Sequence, residues 1–105
     1  MVLEHSVLTN GTVYLSIYAS VGWSVIEQLM DIAFSHLSLL SPEMRLIVVD
    51  LRQSPSVNIR MLNLATAMLN DRDIRIRVIT KSPELAESLS GLGLDVYPSL
   101  ALALE

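Results

Sequence analysis

The stretch RLIVVDLRQSPSVNIRMLNLATAML, residues 45–69, decides the fold class of this chain. Its continuous apolar run, residues 46–51, is typical of a strand that is covered on both faces or nearly so. A turn at residues 54–56 follows, and Asn58 then stands where a helix is usually capped. From there to Leu69 apolar residues recur at helical spacing. The stretch therefore predicts a buried strand, a loop and an amphipathic helix.

The residues before this stretch predict a hairpin and a first helix. Residues 4–18, EHSVLTNGTVYLSIY, alternate apolar and polar side chains around an Asn-Gly pair at 10–11. That pair predicts a two-residue turn, because Asn and Gly tolerate the positive φ angles that such turns need. Ser24 and Glu27 have the spacing of a capping box, which predicts a helix from Ser24 to about Leu39.

The residues after the stretch repeat the pattern of strand and helix. IRIRVIT, residues 74–80, predicts a strand, and Ser82 and Pro83 begin SPELAESL, a capped third helix. The segment LDVY, residues 94–97, predicts a short strand, and residues 98–105 a short last helix. The third helix is expected to end at the glycines that follow it.

The predicted order is β-β-α-β-α-β-α-β-α, which indicates one α/β domain over residues 1–105 with a mixed, mainly parallel sheet. If the strands lie in sequential order, right-handed crossovers place the connecting helices on one face. Alternation in two strands then puts a set of polar side chains on the less covered face. This set comprises Tyr14, Ser16, Tyr18, Arg75 and Arg77.

Composition excludes several classes of function. The 105 residues include no cysteine, which removes disulfides and thiol chemistry and fits a reducing cytoplasm. The net charge of −4 argues against a nucleic-acid partner, because no basic face would offset the phosphates. The mean hydropathy of +0.50 is high, so we expect apolar surface for a partner protein or for a second copy in a homodimer.

The uncharged segment from His5 to Ile26 raises the question of membrane insertion. It is interrupted by TNGT and alternates polar with apolar residues, so it predicts strands and no spanning helix. Glu4 stands where a signal peptide would need a basic start. We therefore expect a cytoplasmic protein without direct membrane insertion.

The sequence contains no recognisable catalytic or metal-binding pattern. Ser24 follows Gly22-Trp23 but lacks the second glycine of a nucleophile elbow, and a helix cap explains it better. His5 and His36 are expected to be isolated from each other and from carboxylates at metal-ligand spacing. We expect no enzyme activity, no metal and no cofactor.

Two charged residues near the central junction have two interpretations each. Asp50 ends the central strand, where α/β proteins often place a functional carboxylate, but it would equally brace the following turn. Arg60, in the first turn of the second helix, is either a solvated surface residue or a contact for an anionic group. In the second case it would act together with the free backbone N–H groups of the helix.

The ordered set of segments resembles the STAS domain, the fold of anti-sigma factor antagonists and of the cytoplasmic domains of sulfate transporters. LIVVDL is similar to the family's central strand, which ends in Asp-Leu, and SPSV to the short loop after it. IRIRVIT and SPELAESLSGLGLDVYPSLALAL are similar to the next strand, the Ser-Pro-led helix, the Gly-Leu pair and the closing helix. The resemblance covers nearly the whole chain, most clearly residues 45–104.

The resemblance implies a switch site that this chain lacks. Regulatory members carry Asp-Ser-Ser-Gly at the start of the second helix, and a partner kinase phosphorylates a serine there to control binding to an anti-sigma factor. Here Asn58 matches the aspartate, Ile59 and Arg60 match the serines, and Met61 matches the glycine. The phosphoacceptor is missing, and Arg60 carries the opposite charge to a phosphate.

Three hypotheses for function follow. The first is a non-catalytic interaction module in bacterial signalling, whose partner is an anti-sigma factor or a kinase-like protein. The second is a nucleotide- or anion-binding regulatory domain, with its ligand near Asp50 and Arg60. The third is a small STAS subunit of a lipid or anion transporter. The residues predicted to contact a protein partner are Ser54, Ser56, Asn58, Ile59, Arg60 and Met61, and Ser54 and Ser56 are candidate alternative phosphoacceptors.

Overall fold

The computed structural model describes residues 2–105. Its five strands are β1 (Leu3–Val7), β2 (Val13–Ile17), β3 (Leu46–Asp50), β4 (Arg75–Ile79) and β5 (Asp95–Tyr97). Its four helices are α1 (Trp23–Leu37), α2 (Ile59–Asn70), α3 (Pro83–Gly91) and α4 (Leu100–Ala103), and a short 3₁₀ turn spans Pro42–Met44. The order of strands and helices is the one that the sequence predicts.

The strands form one mixed sheet in sequential order, β1-β2-β3-β4-β5. β1 and β2 pair antiparallel, while β2, β3, β4 and β5 pair parallel to one another. The central register places Ile47 opposite Ile76 and Val49 opposite Val78. This arrangement confirms the predicted mixed, mainly parallel sheet.

The two faces of the sheet bury side chains of opposite parity. Ile47 and Val49 of β3 belong to the main core, which also receives buried residues of α1, α2 and α3. Val48 of β3 belongs to a smaller cluster on the other face, together with Ile79 and with Ala103 of α4. Because both faces of β3 are covered, its sequence is continuously apolar.

The prediction for the start of α1 is wrong. The helix begins at Trp23 after the extended residue Gly22, and Ser24 lies within its first turn instead of capping it. The first helical hydrogen bond runs from the backbone N–H of Ile26 to the carbonyl oxygen of Gly22, at 3.0 Å. A parallel bridge to Val57 fixes the position of Val21, and the chain turns into α1 directly after Val21.

The predicted two-residue hairpin turn is also wrong. The backbone N–H of Leu8 donates to the carbonyl oxygen of Thr12 at 2.8 Å and closes a loop of three residues. Within the described chain, a positive φ occurs in this loop at Gly11 alone, with a value of 88°. The side-chain oxygen of Asn10 accepts from the backbone N–H of Thr12 at 3.0 Å. Asn10 thus contributes a side-chain hydrogen bond and Gly11 the left-handed backbone.

The side chain of Arg45 connects the segment after α1 to the segment after α2. Its guanidinium donates from Nε to the carbonyl oxygen of Leu40 at 2.8 Å and from Nη2 to that of Ser38 at 3.1 Å. Its Nη1 donates to the carbonyl oxygen of Arg72, just after α2, at 3.0 Å. One side chain therefore satisfies three carbonyl groups in the segments that follow α1 and α2.

Candidate functional site

The junction between β3 and α2 is anchored to the segment that enters α1. The backbone N–H of Val21 donates to the carbonyl oxygen of Ser56 at 2.8 Å, and that of Asn58 donates to the carbonyl oxygen of Val21 at 2.9 Å. These bonds flank the parallel bridge between Val21 and Val57. The start of α2 is therefore held in a defined position, although it follows a loop.

Ser54 and Ser56 both make hydrogen bonds within the fold. The half-buried Ser54 donates from Oγ to the carbonyl oxygen of Ile17, at the end of β2, at 3.1 Å. The exposed Ser56 donates from Oγ to Oγ of Ser20 at 2.9 Å. Both hydroxyls thus connect the junction to the chain between β2 and α1.

Asn58 caps α2 as predicted. Its side-chain oxygen accepts from the backbone N–H of Met61 at 3.1 Å, which satisfies one of the unpaired donors of the first turn. Ile59 is half-buried and packs against the main core. Arg60 is exposed, and its guanidinium makes no hydrogen bond or ion pair with any of residues 2–105.

The first turn of α2 borders two depressions. The strand-end depression, of about 420 Å³, lies where β3 and β4 end and α2 and α3 begin. It is lined by Ser54, Ser56, Ile59, Lys81, Ser82 and Glu84, among others. The α1–α2 groove, of about 300 Å³, is lined by Trp23, Met30, Phe34, Met61, Leu64 and Met68, with further residues at its floor and rim. Of the six predicted contact residues, Ser54, Ser56 and Ile59 face the strand-end depression and Met61 faces the α1–α2 groove, while Asn58 and Arg60 line neither.

Asp50 is buried and fully engaged at the end of β3. Its Oδ2 accepts from the hydroxyl of Tyr14 at 2.5 Å and from Nη2 of Arg52 at 2.7 Å. Its Oδ1 accepts from Nε and from the backbone N–H of Arg52, both at 3.0 Å. Arg52 therefore binds both carboxylate oxygens and completes the turn after β3, which favours the bracing interpretation of Asp50.

The charges of this cluster shift the pKa values of its members. Burial by itself raises the pKa of Asp50, but hydrogen bonds from Arg52 and Tyr14 outweigh it and leave that pKa below its ordinary value. Burial and the bond to the Asp50 carboxylate raise the pKa of Tyr14. The same carboxylate raises the pKa of Arg52. At neutral pH the cluster is thus a stable ion pair with a neutral phenol donor.

Asp50 and Arg60, the two residues of the predicted anion contact, belong to opposite faces of the sheet. Ile47 and Val49 point toward the connecting helices, so the alternation of β3 points Val48 and Asp50 to the opposite face. Arg60 belongs to α2, on the helix side of the sheet. The parity of β2 and β3 could have predicted the contact between Tyr14 and Asp50, because it puts both side chains on the same face of the sheet.

His5 and His36 are not isolated from each other, contrary to expectation. Their ring centroids lie 5.1 Å apart, with an angle of 45° between the rings. His5 is on the edge strand β1, and His36 is in the last turn of α1. Within residues 2–105, no group of three or more His, Cys, Asp or Glu side chains has the geometry to hold a metal ion. No helix in the same range combines the length and the apolar character needed to cross a bilayer.

The chain has the fold of one anti-sigma factor antagonist of known structure. It matches the structure of unphosphorylated SpoIIAA, an anti-sigma factor antagonist, with a TM-score of 0.69 over 97% of this chain and 93% of SpoIIAA. The fold is SpoIIAA-like. The sequence identity is 10%, so the likeness establishes the fold alone. It confirms the resemblance to the STAS domain at that level.

Two further structures match this chain. An uncharacterized protein of the DUF3478 family from Shewanella loihica PV-4, with a SpoIIAA-like fold, matches with a TM-score of 0.68 and 10% identity over 97% of this chain and 90% of that one. The protein Mglu matches with a TM-score of 0.54 and 17% identity over 77% of this chain and 19% of its own length. No protein-family model matches the sequence, and no curated protein matches it significantly.

Proposed function

We propose that this chain is a non-catalytic protein-interaction module that acts in cytoplasmic signalling, as an anti-sigma factor antagonist-like regulator of transcription. Its docking surface is the β3–α2 junction, and its partner is an anti-sigma factor or kinase-like protein. The observation that supports this proposal is the first turn of α2, where Arg60 is exposed and has no counter-charge among the described residues. The SpoIIAA-like fold supports a regulatory role in general.

The first turn of α2 offers a partner both charge and unpaired donors. The side chain of Asn58 accepts from the backbone N–H of Met61. The N–H groups of Ile59 and Arg60, at the start of the helix, have no helical acceptors. A cation at the positive end of a helix is unfavourable by about 0.3–1 kcal/mol. A carboxylate from a partner would offset that cost and accept from the free donors. The surface that docks here is therefore expected to be acidic.

The same turn supports binding without phosphoryl control. Ile59, Arg60 and Met61 offer no hydroxyl, and Ser54 is half-buried and donates to the Ile17 carbonyl. Ser56 is exposed, but its hydroxyl is bonded to Ser20 in the loop that leads to α1. We propose that neither serine serves as a switch and that partner binding is constitutive.

A binding panel of purified anti-sigma factors and their kinases tests the proposal. At least one member should bind the wild type, and Arg60→Glu should weaken that complex about tenfold or more by reversing the charge that faces the partner. Arg75→Glu is the matched control, because Arg75 is also exposed but starts β4 at the opposite end of the sheet. Equal losses for both variants, or no binder in the panel, would contradict the proposed docking surface.

The absence of a switch is tested in the same mixtures. The chain is incubated with the kinase and ATP, and its intact mass is measured. An unchanged mass supports constitutive binding. Addition of a phosphate that Ser54→Ala or Ser56→Ala abolishes would show that a neighbouring serine has replaced the lost acceptor.

The anion-binding alternative is narrowed by the geometry. The carboxylate of Asp50 is already bound by Arg52 and Tyr14, whereas the strand-end depression has the first turns of α2 and α3 and Lys81 at its wall. A nucleotide or organic anion bound there would raise the melting temperature by mass action. Thermal shift with a set of nucleotides and organic anions decides this alternative, and a flat response across the set removes it.

The transporter-subunit alternative rests on the high mean hydropathy, which suits an obligate partner or a homodimer. Light scattering over a range of concentrations distinguishes it from the interaction module. A monodisperse monomer at high concentration counts against both the obligate subunit and the homodimer.

A further inference from the structure

The α1–α2 groove is an exposed apolar surface that shares only Met61 with the residues predicted to contact a partner at the β3–α2 junction. Its floor is formed by Ile26 of α1 and Ala65 of α2, which are 4% and 1% exposed. The short side chain of Ala65 leaves depth between the two helices. The walls carry Trp23, Leu64 and Met68, which are 57%, 54% and 48% exposed. Three large apolar side chains thus border one groove instead of being scattered.

A contiguous apolar surface of this kind marks an interaction site more strongly than single exposed apolar residues do. Trp is the residue most enriched among those that dominate binding energy at protein interfaces. Three of the lining residues, Met30, Met61 and Met68, are methionines, whose flexible side chains adapt to an apolar partner. The groove therefore suits an apolar ligand surface of variable shape.

The charges at the rim have one sign. Glu27 and Asp31 stand four residues apart on α1, both exposed, and both line the groove. Neither forms an ion pair with any of the described residues, among which the single ion pair joins Arg52 to Asp50. The lining contains no Lys or Arg, although Arg72 stacks on the ring of Phe34, 5.4 Å from its centroid. The groove is therefore apolar inside and acidic along the α1 rim.

We propose that the α1–α2 groove binds an amphipathic helix of a partner protein that carries Lys or Arg beside its apolar stripe. A groove between two helices accepts a third helix, whose large side chains at i, i+3 and i+4 insert between the facing ridges. Basic residues on the flank of that helix then pair with Glu27 and Asp31. The acidic rim disfavours nucleic acid and anionic lipid surfaces.

A second copy of the chain does not match this occupant. The described helix α1 carries no Lys or Arg, and α4 has only four residues. Helix α2 exposes Leu64 and Met68 but carries a single basic residue, Arg60, for the two carboxylates of the rim. No other helix in residues 2–105 combines an exposed apolar stripe with basic residues, since α3 carries Glu84 and Glu87 and no Lys or Arg. The charge complementarity thus points to a different, basic partner.

Trp23 makes the proposal directly measurable, because it is the only tryptophan in the chain and lies in the groove. The purified chain is titrated with two synthetic helical peptides of identical Leu pattern, one with Lys and one with Glu at the flanking positions. The Lys peptide should shift the Trp23 emission to shorter wavelength and bind saturably, whereas the Glu peptide should not. No saturable shift with the Lys peptide, or equal binding of both peptides, would overturn the proposal.

Variants separate specific binding from general stickiness. The double charge reversal Glu27→Lys and Asp31→Lys should lower the affinity for the Lys peptide about tenfold or more and raise the affinity for the Glu peptide. Leu64→Gln should also lower the affinity for the Lys peptide. Leu39→Gln is the control and should leave that affinity unchanged, because Leu39 is 91% exposed and lies outside the groove. Equal effects of the two leucine variants would refute the groove as the site. Because Arg60→Glu leaves the groove intact, unchanged peptide binding by that variant distinguishes this site from the β3–α2 junction.

Discussion

Tyr14 on β2 donates its hydroxyl to the carboxylate of Asp50 on the neighbouring strand β3, at 2.5 Å. Arg52 holds the same carboxylate through two nitrogens and its own backbone N–H. Both oxygens of the buried Asp50 carboxylate are thus hydrogen-bonded, which fixes the start of the turn that leads toward α2. The cluster therefore supports the junction structurally.

The Asp50 cluster predicts a component of acid sensitivity. A carboxyl group whose pKa is lowered on folding stabilises the fold above its unfolded pKa of about 3.9, and this stabilisation is lost as the pH falls through the lower folded pKa. We expect the free energy of unfolding in urea to fall below about pH 4 in the wild type. In Asp50→Asn that component is absent, at the cost of lower stability at pH 7. Asp95→Asn, at an exposed site, is the control and should keep the wild-type acid limb.

The two tyrosines of the first hairpin allow a matched test of the Tyr14 bond. Tyr14→Phe should lower the free energy of unfolding by about 1.5–3 kcal/mol, because it removes a hydrogen bond to a buried charge. Tyr18→Phe removes the bond to the exposed Glu4 and should cost less than about 1 kcal/mol. Urea denaturation measures both. Equal losses would show that the bond to Asp50 contributes no more than a surface contact.

Asn58 is predicted to stabilise α2 as its cap. Asn58→Ala should cost about 1 kcal/mol, because the backbone N–H of Met61 loses its acceptor. Asn58→Asp keeps the acceptor and adds a negative charge at the positive helix end, so it should be neutral or stabilising. Thermal unfolding of the two variants gives the comparison. Destabilisation by the aspartate equal to that by alanine would argue against the capping geometry.

Arg60 is predicted to affect stability and binding in opposite directions. Arg60→Glu replaces an unfavourable cation in the first turn of α2 with a favourable anion, so stability should rise by about 0.3–1 kcal/mol. The same change should weaken binding of the protein partner. A variant that folds more stably and binds less well cannot owe its loss of binding to unfolding, which makes this pair of measurements decisive for the junction.

Arg45 is predicted to hold the ends of α1 and α2 together. Arg45→Met keeps much of the apolar stem but leaves the carbonyl groups of Ser38, Leu40 and Arg72 without their donor. We expect a loss of about 1–3 kcal/mol in the free energy of unfolding. Hydrogen exchange should show faster opening at the end of α1. A uniform change across the chain would indicate that the contact acts globally.

Local signals in the sequence predicted well wherever neighbouring residues decide the outcome. The cap at Asn58 was predictable because its acceptor and donor are three residues apart. The equally local signal at Ser24 failed, because the bridge between Val21 and Val57 moves the helix start to Trp23. The Asn-Gly signal at 10–11 located the hairpin but not its loop length, which the pairing of Leu8 with Thr12 determines.

The sequence by itself determined the order of strands and helices, the parity of β2 and β4 and the absence of hydroxyls at 59–61. These properties follow from periodicity and residue identity, which need no knowledge of distant contacts. Only the tertiary structure decided that Asp50 binds both Arg52 and Tyr14, that His5 lies against His36, and that α1 and α2 leave a groove between them. These relationships depend on strand register and helix packing across tens of residues, which the spacing of residues along the chain does not encode.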